Sequence, residues 1–549
     1  MHPRLPYDVL EEIFKYLSED INSLHTFLLI NKLWCQIVIR ILWKNPWSYC
    51  SLIKPTYSTF WPLITRTIVS MIPQDSKNYL LNHGIDISKF QKISKNNNKF
   101  PMFNYLSYCK YFSLRDLHRI RREILDVEDS YKEFILEQVI YKLFLSNTCS
   151  LNYLELLDIS LPSPSSSSHH HIDISHKSDK LSRLSFAPHI FPSHITHLEI
   201  KSHFSSSLLI TISEYVNTLR MLTIDPCDND NPGLSQLIKS QKCLTDLTIV
   251  SLNGVFENLS NAIKEKAKMI KCIRFVGNVC ISSEAIYSLN ELKVLEVDLL
   301  ENNGIGSYLN FEEREEEDDK LQQQQEIYFN NNWLLLKSPN FPQLEILNIL
   351  YDDKTSLSNY TSIINSTQNS KSLKKIFIND WFTIEFNELR PYLRSIINNC
   401  GICNNLKFVK IWYSRLLLPE IEDVLKKCTG LESIVVTYYE NNNIYMDNIY
   451  NIDNRDNIMN FVEDITNERD TELFLDLLST HSPITLNKIE LNGDWRITKK
   501  ILHKFLENWN SRKELGLEMN ICALGFFQDC SKILKEYTDK GVLKKFSYE

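Results

Sequence analysis

Glycine is scarce in this chain, with 12 glycines among 549 residues. Loops that cradle phosphate groups are built from glycine, and the sequence contains no P-loop motif. It also contains neither the His–Glu–x–x–His pattern of zinc peptidases nor the Gly–x–Ser–x–Gly turn of serine hydrolases. The sequence therefore predicts no catalytic centre and no cofactor.

Long apolar runs are missing as well. No stretch of 18 apolar residues occurs, and the first 20 residues mix polar and apolar types, unlike a secretory leader. The 13 cysteines are scattered without the spacing of a disulfide framework, as is usual for reduced thiols inside the cell. We therefore expect no membrane segment and a cytoplasmic or nuclear location.

The cysteines and histidines do not form a pattern that would bind a metal. Cys400 and Cys403 form the single Cys–x–x–Cys pair, whereas a zinc site needs a second pair or suitably spaced histidines, and only Cys428 lies nearby. A thioredoxin-type redox motif is disfavoured because a predicted strand follows the pair, where such a motif would have a helix. The run His169–His171 lies in a serine-rich stretch that fixes no geometry. The sequence predicts no metal site.

Positive charge is not concentrated in any long run. The chain has 60 lysines and arginines against 68 aspartates and glutamates, which gives a formal charge of −8. The one short basic run, Arg119–Arg122, is expected to be the solvated face of a helix. Proteins that bind nucleic acid normally concentrate positive charge, so we expect no nucleic-acid partner.

The strongest pattern lies in the first 47 residues. Pro6 can begin a helix because the first helical position has no hydrogen bond to lose, and Asp8 suits the positive first turn. Apolar residues then recur at helical spacing, at Val9, Leu10, Ile13, Phe14 and Leu17.

Two more short helices are predicted to follow. Ser23 is a candidate N-cap for the second. The third follows Asn31 and should end before Pro46, because the residue before a proline disfavours helical dihedrals. Three short helices cannot bury this much apolar surface alone, which favours a surface for a partner. The alternative is that they form the first hairpin of a larger fold.

The order of these residues resembles the F-box, a short helical docking module. The shared features are the Leu5–Pro6 opening, the acidic residue two positions later, the Ile13–Phe14–x–x–Leu17 helix end and the Asn31–Lys32–x–Trp34 turn. The exit at Leu42–Trp47 is similar to that of F-box proteins with leucine-rich repeats in expanded fungal-type families.

This resemblance implies docking to other proteins. F-box proteins hang from a cullin–RING ubiquitin ligase through a Skp-type adaptor, and through that adaptor they reach the cullin. The resemblance implies adaptor contacts at Leu5, Pro6, Val9, Leu10, Ile13, Leu17, Leu24, Leu28 and Trp34.

Residues 48–150 show helical spacing of apolar residues and are predicted to form a helical linker region. The segments with this spacing are Tyr57–Ile72, Leu114–Leu125 and Tyr131–Leu145.

From residue 151 onward, a pattern with apolar residues at positions 1, 4 and 6 returns again and again. Leucine occupies the first position in ten of twelve cases, and the spacing from Ile195 to Leu292 runs 24, 25, 26 and 22 residues, near the leucine-rich-repeat period. The first positions are Leu151, Leu181, Ile195, Leu219, Leu244, Ile270, Leu292, Leu344, Leu373, Leu406, Leu431 and Leu486.

Helix-like segments fill the intervals between these motifs, as at Leu208–Asn217, Val255–Lys268, Pro419–Lys427 and Lys499–Trp509. Alternating strands and helices at this period predict an α/β leucine-rich-repeat-like solenoid, a horseshoe, over residues 151–549. It should be irregular, because the asparagine or cysteine usual after such a strand occurs only as Cys227 and Asn278. Disordered insertions are predicted near 162–180, 301–332 and 440–460.

The sequence thus predicts the substrate-recognition subunit of a Skp–cullin–F-box ubiquitin ligase, with no catalysis of its own. The repeats would bind a protein target through strand residues such as Thr223, Thr248, Arg274, Glu296, Lys410 and Glu490. One alternative is a scaffold that binds the adaptor without serving ubiquitin transfer. Another is an enzyme with a hidden site within residues 48–150.

Overall fold

The structure is a computed structural model. It describes residues 5–18, 20–48, 60–90, 101–125, 129–147, 151–156, 194–251, 254–298, 340–350, 356–367, 372–379, 385–400, 405–439, 456–493, 495–510, 512, 514–521 and 527–548. The repeat predicted at Leu181, the insertions predicted near 162–180 and 301–332, His169–His171 and Cys403 lie outside the described residues.

The chain divides into two compact units. Unit 1 comprises residues 1–250 and 261–266, and unit 2 comprises residues 251–260 and 267–549. The division falls inside the predicted repeat region. The predicted F-box, the helical region and the first strands therefore belong to one unit.

Unit 1 begins with helices. They are α1 (Tyr7–Tyr16), α2 (Ile21–Phe27), α3 (Lys32–Leu42), α4 (Phe60–Met71), α5 (Gln74–Asn82), α6 (Leu114–Ile124) and α7 (Ser130–Asn147). The helices α6 and α7 match the two helices predicted between residues 114 and 145 to within two residues at each end.

Five parallel strands of unit 1 lie side by side in sequence order. They are β1 (Tyr111–Ser113), β2 (Tyr153–Glu155), β3 (His197–Ile200), β4 (Met221–Ile224) and β5 (Asp246–Ser251). Two helices separate the later strands, α8 (Ser206–Tyr215) and α9 (Pro232–Ser240). The next helix, α10 (Glu257–Lys266), contains the point at which the two units are divided.

Unit 2 repeats the same arrangement with nine parallel strands, again paired in sequence order. The strands are β6 (Cys272–Gly277), β7 (Val294–Asp298), β8 (Ile346–Leu350), β9 (Lys375–Asn379), β10 (Phe408–Tyr413), β11 (Ser433–Tyr438), β12 (Lys488–Gly493), β13 (Leu515–Ile521) and β14 (Leu543–Tyr548). The helices are α11 (Ser283–Tyr287), α12 (Leu357–Ser366), α13 (Phe386–Cys400), α14 (Leu418–Lys427), α15 (Asp456–His481), α16 (Lys499–Trp509) and α17 (Phe527–Asp539).

The repeat motif marks where strands begin. In all eleven repeats that fall on described residues, the first-position residue is buried and stands two residues before a strand. Side chains then alternate between buried and partly exposed along the strand, as in β5 and β7, because successive residues of a strand point to opposite faces. Each unit is therefore α/β with an open parallel sheet, and a solenoid-like succession of strands and helices.

Three strands were not predicted. A strand, β1, lies within the region predicted to be helical, and β13 and β14 follow the last predicted motif. Before β1, Cys109 takes the first position, with Phe112 and Leu114 at the fourth and sixth. The motif is therefore present there with cysteine in place of leucine.

The insertion predicted near 440–460 overlaps a helix. The helix α15 begins at Asp456 and runs for 26 residues, while residues 440–455 are outside the described part of the chain. Its buried side chains Phe474, Leu475 and Leu478 are spaced for one helical face. The asparagine-rich sequence before Asp456 masked the start of this helix in the sequence pattern.

Buried amides connect neighbouring repeats within each unit. In unit 1, the Gln241 Nε2 atom donates a hydrogen bond to the Val216 carbonyl oxygen at 2.8 Å. In unit 2, the Asn399 Nδ2 atom donates to the Ile364 carbonyl oxygen at 2.9 Å. Asn231 makes similar bonds to the preceding repeat. The Gln241 and Asn399 amides thus supply donors to backbone carbonyls near helix C-termini, and Asn231 supplies them to the segment before α8.

Candidate docking face on the N-terminal helices

The first helix begins where the sequence predicts, except that Pro6 is its N-cap and not its first helical residue. Pro6 precedes α1 as its N-cap, and Asp8 lies in the first turn. Proline fixes its φ near −65°, and Pro6 has a φ of −56°. The acidic side chain in the first turn is favoured by the partial positive charge of the helix N-terminus.

Side chains cap the next two helices. Asp20 accepts a hydrogen bond from the Ser23 backbone nitrogen at 3.1 Å and so caps α2. The prediction of Ser23 as the N-cap is wrong, because α2 begins at Ile21, directly after Asp20. Asn31 caps α3 by accepting from the Trp34 nitrogen at 2.9 Å. These caps satisfy backbone donors that have no partner inside the helix.

The three helices share a hydrophobic core of their own. Three aromatic rings meet inside it: the Phe14 ring centroid is 5.1 Å from that of Phe27 and 5.0 Å from that of Trp34. Edge-to-face and tilted contacts at such distances are the arrangements that aromatic rings prefer. The fully buried members of the core are Leu10, Phe14, Leu24, Ile37 and Val38.

A second apolar face of α1 is left uncovered. Val9 is 43% exposed, Ile13 is 42% exposed and Tyr16 is 88% exposed. With 3.6 residues per turn, these three residues lie on one side of the helix, away from the side that carries Leu10 and Phe14. The helix is thus apolar on more than the face that its own core covers.

Exposed apolar residues also surround the turn between α2 and α3. They are Leu29, Ile30 and Leu33, and Leu5 is exposed just before α1. Of the nineteen large hydrophobic side chains that are exposed among the described residues, seven lie between residues 5 and 33. Concentrations of exposed apolar side chains mark interaction surfaces more often than isolated ones do. We call these seven residues, Leu5, Val9, Ile13, Tyr16, Leu29, Ile30 and Leu33, the docking face.

The nine residues predicted as adaptor contacts fall into three groups. Leu5, Pro6, Val9 and Ile13 are exposed. Leu17, Leu28 and Trp34 are partly buried against the core of the three helices. Leu10 and Leu24 are buried within that core, so their side chains are not available on the surface.

The sequence pattern missed four residues of the docking face as contacts. Tyr16 stands seven positions after Val9, which is the spacing of two helical turns. Leu29 and Ile30 extend the apolar sequence beyond the end of α2, where a turn would normally be polar. Leu33 is near the start of α3, and its side chain is exposed.

One carboxyl group between residues 101 and 156, that of Asp116, is buried and has a raised pKa. Asp116, in the first turn of α6, is 8% exposed, and burial raises its pKa to about 7. Arg119, Glu155 and Arg115 are close enough to influence this pKa. Perturbed carboxyl groups occur in active sites and in structural positions alike. Asp116 does not line the open cavity between α1, α3 and residues 107–111.

No family model matches this chain, and no curated protein matches it. Among the described residues, no helix has the length and apolar character needed to cross a membrane. In the same part of the chain, no group of three or more histidine, cysteine, aspartate or glutamate side chains is arranged to hold a metal ion.

Proposed function

We propose that this chain is the substrate-recognition subunit of a Skp–cullin–F-box ubiquitin ligase. The observation that carries the proposal is the docking face, an uncovered apolar surface on the helices that resemble an F-box. The helices would bind the Skp-type adaptor through this face, and the cullin would follow through the adaptor.

The exposure of individual residues supports this assignment and indicates which of the predicted residues contact the adaptor directly. Burial of an exposed leucine or isoleucine side chain against a partner contributes about 1.5–3 kcal/mol. Val9 and Ile13 are exposed and lie on a helix whose other face is anchored by Phe14. They are therefore the contacts expected to contribute most. Leu10, Leu24 and Trp34 would act indirectly, by holding the three helices in position.

The strands supply a surface for a protein target. We propose that the strand–helix pairs are irregular leucine-rich repeats in a horseshoe. Their sheet offers partly exposed side chains at Thr223 and Thr248 in unit 1, and an exposed Arg274 in unit 2. Lys410, expected to face the target, is 3% exposed, so its side chain is not available to a target. Ubiquitin transfer would then depend on proximity, with the reacting groups in other subunits.

The alternative is a scaffold that binds the adaptor without serving ubiquitin transfer. The docking face fits both functions equally well, because both require only adaptor binding. Co-purification of cullin with the chain separates them. Adaptor bound without cullin would favour the scaffold.

The docking proposal is tested by binding of the full chain to a purified Skp-type adaptor. The variant Val9→Asp/Ile13→Asp places two carboxylates on the exposed face of α1 and leaves the helical core unchanged. Since a buried, unpaired carboxylate is strongly unfavourable, we expect adaptor affinity to fall by at least about a hundredfold.

The matched control is Leu81→Asp, which places a carboxylate at an exposed leucine of α5, outside the docking face. It should bind the adaptor like the unchanged chain, and circular dichroism should show all three proteins folded. Failure of the unchanged chain to bind the adaptor would reject the proposal. Equal binding by the double variant would reject the docking face.

A further inference from the structure

We propose that unit 1 has an anion-binding groove, on the side of α1 opposite Val9 and Ile13, for a soluble ligand with two or more phosphate groups. The groove is an open cavity of about 830 Å³ between α1, α3 and residues 107–111. Four cationic side chains line it, against one carboxylate, that of Glu11. The cations are Lys15, Arg40, Lys44 and Lys110.

Three of these cations have no anionic partner among the described residues. Lys15 is paired with Glu11 at 3.2 Å and with Glu12 at 2.8 Å. By contrast, no ion pair with another described residue involves Arg40, Lys44 or Lys110. Like charges that converge without compensation repel one another, and a bound anion would relieve this repulsion.

The guanidinium of Arg40 is held in position before any ligand arrives. Its Nη1 atom donates a hydrogen bond to the Tyr7 hydroxyl at 3.0 Å. Its planar group also lies over the Tyr108 ring, 5.6 Å from the centroid. Because both partners are neutral, they orient the positive charge without neutralising it. An arginine fixed in this way is prepared to bind a phosphate with two parallel hydrogen bonds.

The two lysines stand on backbone that is tied together. The Lys110 nitrogen donates to the Lys44 carbonyl oxygen at 2.9 Å. Nearby, the Trp47 Nε1 atom donates to the Tyr111 carbonyl oxygen at 3.3 Å. These bonds connect the end of α3 to the strand β1, so the walls of the groove are held at a defined separation.

One residue of the groove wall, Asn45, carries an unsatisfied polar atom. The amide oxygen of Asn45 is buried and accepts no hydrogen bond in the described part of the chain. Buried polar atoms are nearly always satisfied by protein, water or ligand. A hydroxyl group or a bound water beside a phosphate would supply the missing donor.

Size and charge favour a small phosphorylated molecule. A volume of about 830 Å³ lies within the range typical of small-molecule pockets. A phosphate group carries about −1.5 to −2 charges at neutral pH, so two phosphates neutralise all three unpaired cations, whereas two carboxylates leave one uncompensated. The chain as a whole has a formal charge of −8 and would repel anions at long range. The attraction must therefore come from the groove itself.

The groove lies on the opposite side of α1 from the docking-face residues Val9 and Ile13. Tyr7, Glu11 and Lys15 face the groove, whereas Val9 and Ile13 belong to the docking face. At 3.6 residues per turn, the two sets are centred about 180° apart around α1. A partner seated on Val9 and Ile13 would leave the groove open. This inference does not depend on the proposed ligase function.

The test is calorimetric titration of the full chain with tripolyphosphate at physiological ionic strength. Lys44→Gln/Lys110→Gln removes two unpaired charges, and Arg40→Gln removes the oriented guanidinium. The matched control Lys142→Gln/Lys242→Gln removes two exposed lysines of unit 1 that do not line the groove. We expect tripolyphosphate to bind the unchanged chain and the control with the same affinity within twofold, and each groove variant at least tenfold more weakly.

Three results would overturn the proposal. The first is no binding by the unchanged chain, and the second is an equal loss of affinity in the control, which would show general electrostatic attraction. The third is tighter binding of a glutamate-rich peptide than of tripolyphosphate, which would assign the groove to an acidic protein segment. A parallel sedimentation with vesicles that contain phosphatidylinositol phosphates shows whether the phosphate groups belong to a lipid headgroup or to a free molecule. Binding of vesicles without binding of free tripolyphosphate would contradict a soluble ligand.

Discussion

Gly233 lies directly against the backbone of Ser206. A β-carbon placed on Gly233 would stand 2.5 Å from the Ser206 carbonyl oxygen and 2.7 Å from its α-carbon. Gly233 is in the first turn of α9 and Ser206 is the first residue of α8. The two helices can approach this closely only because one position has no side chain.

The substitution Gly233→Ala should therefore force α8 and α9 apart. We expect a loss of about 3 kcal/mol, the upper range for overpacking, because the obstacle is backbone. The control Gly84→Ala has ordinary contacts around its β-carbon but a φ of +75°, and should cost only about 1 kcal/mol. Thermal unfolding followed by circular dichroism compares them. An equal fall in the two midpoints would contradict close approach as the cause.

The buried amide of Gln241 should be essential for the stability of unit 1. Its Nε2 atom donates to the carbonyl oxygens of Val216 and Leu237, and its Oε1 atom accepts from the Leu219 nitrogen at 3.0 Å. Gln241→Met removes the donor to the Val216 carbonyl oxygen and the acceptor of the Leu219 nitrogen, both buried, which costs on the order of 3 kcal/mol. Gln236→Met, at an exposed position of α9, is the control. Thermal unfolding should show a lower midpoint for Gln241→Met alone.

Unit 1 should become less stable relative to a D116N variant as the pH rises from about 4 to about 7. Burial raises the pKa of Asp116 from its ordinary value of 3.8 to about 7. Across this interval the unfolded chain releases the proton while the folded chain retains it, so ionisation favours unfolding by on the order of a few kcal/mol. Thermal unfolding midpoints of both proteins at pH 5 and pH 8 measure the difference.

Asp129 provides a control with the opposite behaviour. Its carboxylate accepts hydrogen bonds from the Lys132 and Tyr131 backbone nitrogens, and the first of these bonds is the main cause of its lowered pKa. The stabilisation from Asp129 is lost only as the pH falls through that lowered pKa. The effect of Asp129→Asn should therefore be the same at pH 5 and pH 8. A difference as large as that of Asp116→Asn would point to a general effect of charge.

Loss of the Phe14 ring should unfold the N-terminal helices locally. Phe14 is fully buried between Phe27 and Trp34, and its replacement by alanine should cost about 3–5 kcal/mol. Limited proteolysis should then cut within residues 5–48 sooner than in the unchanged chain. Tyr16→Ala, two positions away and 88% exposed, should leave the cleavage rate unchanged. Equal cleavage of the Phe14→Ala variant would show that these helices are not held by this core.

Much of the repeat arrangement was predictable from sequence, because burial is periodic there. Leu219 and Leu244 each precede a strand by two residues, and their side chains are fully buried. The strand β1 escaped prediction because Cys109 fills the leucine position. The side-chain amide hydrogen bonds between repeats could not be predicted for another reason. Gln241 and Asn399 lie at helix ends, outside the short motif, and their partners are backbone atoms that carry no sequence signal.

The candidate docking site was predictable only in part. Helical spacing correctly predicted apolar faces on α1, but it could not tell which face the other helices would cover. Leu10 is buried whereas its neighbour Val9 is exposed, although both are apolar and adjacent in sequence. The difference depends on the positions of α2 and α3, which are set by tertiary packing. The basic groove depends likewise on Lys44 and Lys110, which are far apart in the chain.

The pairing of strands in sequence order has a consequence for how such a chain can change over evolutionary time. Within each unit, a strand such as β11 meets only its immediate predecessor and successor among the described strands. Duplication or deletion of one strand with its helix would create or remove a single interface and leave distant repeats intact. The sheet and the surface it exposes can therefore grow, shrink or be exchanged in steps of one repeat, without a new fold having to be found each time.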